Sequence, residues 1–217
     1  IYEREKNNFK TLLAFGEGST TLASYADAED FVATYPFINY QFTLFQNVMR
    51  ELSGHGAFTG KYTSVGARSM LGVFQQAAIA IGDKEVGAIA PFGMMFEGIR
   101  AALKTQVQNS VLIAEDEVHD PFAIQLLKAL LLVKYVGSFK ATERNLTVLM
   151  LEGFDQNIAA LQGKLRAALA FLEQQTWIMR NGEVWTYLTD EEKDIEQDIK
   201  LVEVADSELA TQLSDLF

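Results

Sequence analysis

Gly56, Gly60 and Lys61, in the glycine-rich run 53–66, come nearest to a phosphate-binding arrangement. A P-loop places four residues between its two glycines and a Ser or Thr after its lysine. Backbone amides can then wrap the phosphates, and the hydroxyl holds magnesium. Here three residues separate Gly56 from Gly60, Tyr62 follows Lys61, and no β-rich run precedes the loop. The spacing describes a flexible interhelical loop, not a nucleotide cradle. Arg68 follows at the start of the next helical segment. A guanidinium fixed there can reach a phosphate held by a neighbouring domain or subunit; the plainer role is an exposed arginine on a surface helix.

A second set of cations is Lys164, Arg166 and Arg180, on a long helix and the β-rich run after it. They are the candidates for contact with DNA or a protein partner. Across 155–188 they are balanced by Asp155, Glu173 and Glu183. Five alanines between Ala159 and Ala170 leave few side chains able to reach base edges. Trp177, Trp185 and Tyr187 are expected to pack the β-run onto the helix. The remaining titratable groups suggest no metal or acid–base site. There is no cysteine, and His55 and His119 lack partners at ligand spacing. The acids from Asp190 to Glu196 read as a solvated charge run. No nucleophile–base constellation supports a small enzyme.

These residues need helices to hold them, and the apolar spacing supplies them. Helices are expected over 1–15, 27–33, 38–52, 67–81, 91–103, 104–118, 121–136, 142–151 and 155–175, with Asp27 and Asp120 as caps and Pro121 at a first helical position. Asn181-Gly182 between two β-rich runs predicts a hairpin with a type I′ turn. Helix–helix–helix–hairpin over about 70 residues is the order of a winged helix, the helix-turn-helix variant with a β wing. The expected fold is mainly α, with a helical lid-like part at 1–118, a winged helix at 119–189 and an acidic helical tail at 190–217.

The 217 residues are 49% hydrophobic and 22% charged, enough for a sizeable core. Residues 189–217 hold ten acids against Lys193 and Lys200, so −8 of the net −11 lies there. Non-specific nucleic-acid binding needs a basic surface, and this balance argues against it. Apolar runs such as Ala129–Val133 are far short of the roughly 20 residues that span a bilayer. Ile1 opens the sequence without a signal-peptide pattern, so the chain reads as a segment of a longer protein, without a membrane role.

Several stretches together resemble the BrxC/PglY family, the large P-loop ATPase-like proteins of bacterial BREX phage-defence systems. They are 31–42, Gly66-Ala67-Arg68-Ser69-Met70-Leu71 with Phe74-Gln75, 82–87, and 178–182 with 188–192. The family pattern usually reads Gly-Glu-Arg-Ser where this chain has Gly66-Ala67-Arg68-Ser69, so the arginine matches and the acid does not. The resemblance implies a non-enzymatic internal region, with the Walker loop, ATP and magnesium held elsewhere in a cytoplasmic parent protein. It also implies contacts with other BREX components and with further copies, and it raises Arg68 as an ATP-sensing residue. Weak DNA contact is compatible with it. The rival expectation is a winged-helix DNA-binding regulator, which needs basic groups on the exposed face of the third helix and wing.

Overall fold

A computed structural model describes residues 1–16, 19, 22–59 and 67–199; within helix 67–80 the side chains of 67–69 lie outside it. In chain order the helices are α1 (Tyr2–Leu12), α2 (Ala28–Thr34), α3 (Asn39–Gly54) and α4 (Ala67–Ala80). A 3-10 turn (Phe92–Met94) leads into α5 (Met95–Arg100), followed by α6 (Thr105–Glu117), α7 (Pro121–Val133), α8 (Glu143–Leu149) and α9 (Ile158–Gln174). Strands β1 (Ile178–Asn181) and β2 (Val184–Tyr187) form an antiparallel pair. Residues 190–199 are again helical, here α10. The chain is therefore mainly α with one small sheet. No described helix is long and apolar enough to cross a membrane.

The expected capping residues act as caps. Asp27 accepts from the Asp30 amide at 2.9 Å, and Asp120 accepts from the Phe122 amide at 2.9 Å. Pro121 sits in the first turn of α7. This helix is buried along nearly its whole length, as an all-round apolar helix must be. The run Ala129–Val133 is thus the C-terminal end of a core helix. Around α7 pack α3, α5, α6, α9, the 3-10 turn and β2. One hydrophobic core runs from Phe9 in α1 to Tyr187 in β2, continuous across residues 118 and 119.

Buried polar groups tie the elements together where apolar packing alone would leave the register loose. Gln41 is 1% exposed; its oxygen accepts from the Ile38 amide and its nitrogen donates to the Ala90 carbonyl at 2.7 Å. Asn145 is fully buried in α8 and donates to the Lys140 carbonyl, while its oxygen accepts from the Gly16 amide at 2.6 Å. Lys128 reaches out of α7 to Glu97 at 2.6 Å and Glu115 at 2.7 Å. Arg100 grips the same Glu115 through both terminal nitrogens, at 3.1 and 2.6 Å.

Burial alone would raise the Glu115 carboxyl, but hydrogen bonds from Arg100 and Lys128 outweigh it and hold the group below its ordinary range. A depressed carboxylate contributes its stability above the unfolded pKa and loses it as pH falls through the folded one. Glu115→Gln should therefore differ most from the wild type near neutral pH, and the gap should narrow as the pH falls below the ordinary carboxylate range in denaturation curves. A gap that stays constant with pH would count against this ion cluster.

The hairpin departs from the expected turn by one residue. Asn181 pairs with Val184, so Gly182 and Glu183 are the two loop residues. Only Gly182 has positive φ, 62°, which is the II′ pattern with glycine first, not the I′ pattern centred on Asn181-Gly182. Outside β2, Thr142 forms an antiparallel bridge to Val184, and the Trp185 amide donates to the Ala141 carbonyl at 3.0 Å. The segment between α7 and α8 is thereby added to the hairpin edge.

Candidate functional site

A concavity of about 680 Å³ lies between the start of α8, one face of α9 and the hairpin. Asn157 caps α9 by accepting from the Ala160 amide at 3.0 Å. The helix then buries Leu161, Leu165, Ala168, Leu169 and Leu172. That face fixes the opposite one, so Arg166, Ala170 and Glu173 look into the groove. The hairpin contributes Arg180, Glu183 and Trp185, and α8 contributes Glu143 and Arg144.

The cations of the groove are already engaged. Arg166 is paired with Glu143, at 2.6 Å from Nη2 and 2.7 Å from Nε. Arg144 bonds the carbonyls of Thr11 and Ala14, where the chain leaves α1. Arg180 lies over the Trp185 ring, 5.3 Å from its centroid, and donates from Nε to the Gly182 carbonyl at 2.8 Å. Three arginines therefore face Glu143, Glu173 and Glu183, and the lining carries no net formal charge. Such a surface suits a mixed-charge protein segment better than a polyanion.

Arg166 and Arg180 share this groove, but Lys164 does not. Its Nζ sits 4.4 Å from the Phe122 ring centroid, beside a smaller pocket of about 220 Å³ lined also by Glu152 and Asn157. Residues two apart on a helix point about 200° from each other, so the sequence already carries this separation. Trp177 and Tyr187 are buried, whereas Trp185 is half-buried and lines the groove. Glu143 and Arg144 were not among the residues singled out by type and spacing. Long-range packing of α8 puts them there.

Arg68 is the second residue of α4, and its side chain lies outside the described residues. Gly60, Lys61 and Gly66 lie outside them altogether, as do residues 200–217 of the acidic tail. His55 stacks on Tyr135 with ring centroids 4.1 Å apart, and His119 is exposed. Among the described residues no cluster of His, Asp and Glu could hold a metal ion. No family model matches the sequence, and no solved structure matches the fold at a significant level.

Proposed function

We propose that this chain is a non-catalytic helical and winged-helix segment of a large ATP-binding protein, coupling nucleotide state to protein contacts through the α9–hairpin groove. The order α7, Ala141–Thr142, α8, α9, β1, β2, with Thr142 paired to Val184, supports a winged helix spanning 119–189. In this reading α1–α6 form a lid-like part, and the acidic helical tail begins at α10. The observation that carries protein contact over DNA contact is the charge-neutral lining of the groove, with Arg166 held by Glu143. A DNA reader gains most of its affinity by displacing counterions with unpaired cations.

The motif resemblance supports placing the parent in a BREX phage-defence system. ATP and magnesium would be held by its Walker region, and partners would be other BREX components and further copies in the cytoplasm. Arg68 is the proposed nucleotide sensor. In the full-length protein, Arg180→Glu with Trp185→Ala should abolish phage protection while ATP hydrolysis persists. Arg68→Ala should lower hydrolysis, and Arg68→Lys should rescue poorly because lysine lacks the planar fork. Full protection by the groove variant at normal expression would refute the groove's role.

A further inference from the structure

Helix α10 lies on the body by the wrong face. None of its residues 190–199 is buried, and its half-buried positions are Asp190, Glu192, Lys193 and Glu196, all charged. Its large aliphatic side chains point outward instead, with Ile195 60% and Ile199 47% exposed. An amphipathic helix that belongs permanently to a fold buries its apolar stripe.

Charge-assisted contacts in its first turn hold it. Asp190 accepts from Ser110 of α6 at 2.9 Å, and Lys193 donates to the same Ser110 hydroxyl at 3.0 Å while pairing with Asp190 at 3.0 Å. Glu192 pairs with Lys134 at 2.6 Å, and Lys134 also donates to the Tyr187 carbonyl. Gln106 donates to Glu191 at 2.8 Å. The Lys193 ammonium lies 3.7 Å from the centroid of the buried Trp177 ring. Burial lowers the pKa of that ammonium despite Asp190, so the closed arrangement carries a desolvation cost that a freed helix does not. Beneath the first turn is a cavity of about 90 Å³ lined by Val107, Ser110 and Tyr187.

We propose that α10 is a releasable strap, latched to α6 and the hairpin by charged contacts and opened by competing charge. Opening would uncover Trp177, Ser110 and Tyr187. This inference does not depend on what the α9–hairpin groove binds.

Hydrogen exchange on the whole chain tests it, with two latch changes made on the body so that the caps of α10 stay intact. In Ser110→Ala with Lys134→Gln, amides of 191–199 should exchange at least about tenfold faster, while α9 and the hairpin keep their protection. The wild type should show the same selective loss at roughly 0.5 M salt, where the screening length falls to about 4 Å. Ile195→Ser should change nothing. In a Trp185→Phe background, Trp177 emission should shift to the red under both latch-opening conditions. Unchanged protection of 191–199 under both conditions would overturn the proposal. So would its loss only together with α9 and the hairpin, because the helix would then be part of the cooperative body.

Discussion

Replacing Gly93 by alanine should destabilise the protein by about 3 kcal/mol, at the upper end of what overpacking a core usually costs. Gly93 is buried in the 3-10 turn that lies against α7. A Cβ there would stand 2.3 Å from the backbone carbonyl oxygen of Gln125 and 2.9 Å from its side-chain oxygen. The side chain can swing aside, but the carbonyl belongs to the central helix of the core. Relief therefore needs the turn and α7 to separate, which opens the layer holding Phe92, Met95 and Leu126. Val73 crowds Gly98 of α5 in the same way, with its Cα 2.7 Å from the added atom. Chemical denaturation gives the test: a Gly93→Ala variant within about 0.5 kcal/mol of the wild type would show that this approach is not tight.

Lys128→Ala should cost a similar amount, about 3 kcal/mol, for a different reason. The side chain is 7% exposed and leaves the core helix to meet two carboxylates. Alanine removes the buried stem together with the ammonium that lies 5.7 Å from the Phe96 ring centroid, and leaves Glu115 with Arg100 alone. Glu97 is 45% exposed and can turn to water, so its share of the loss is small. Lys128→Met separates the two contributions. It keeps the stem and removes the charge, and the carboxylates it leaves are still served, Glu115 by Arg100 and Glu97 by water. The methionine variant should lose less than about 1 kcal/mol. Equal losses in the two variants would assign the whole effect to the charge.

Local chemistry was legible wherever a side chain acts on its own backbone. Asp27, Asp120 and Pro121 could be read as helix starts because a cap needs only a short oxygen and a neighbouring amide. The start of α9 could not be placed as well. The apolar spacing starts it at Asp155, yet Asn157 is the cap and Ile158 the first helical residue. The intervening chain is held by Phe154, which is buried against Phe9, Tyr25 and Phe31, contacts that no local pattern contains. The hairpin was visible as a hairpin, but its turn moved by one residue because pairing to Thr142 and packing on α9 set the register of β1 and β2.

The groove was only half legible. Arg166 and Arg180 could be picked out as cations near a hairpin, and the helical repeat was enough to separate Lys164 from them. The facing carboxylate of Glu143 and the anchoring of Arg144 on the end of α1 depend on contacts more than a hundred residues apart or across helices. They matter most, because Glu143 ties up the Arg166 guanidinium, whereas the charge balance itself is already met by Glu173 and Glu183.

Fluorescence anisotropy of a labelled duplex DNA titrated with the chain at about 0.15 M salt tests that neutrality most directly. The charge-neutral groove predicts no sub-micromolar binding, and Arg166→Glu with Arg180→Glu should leave any residual weak binding unchanged. A sub-micromolar complex that persists at that salt, and that the double charge reversal abolishes, would contradict the protein-contact role and establish the groove as a DNA-reading surface.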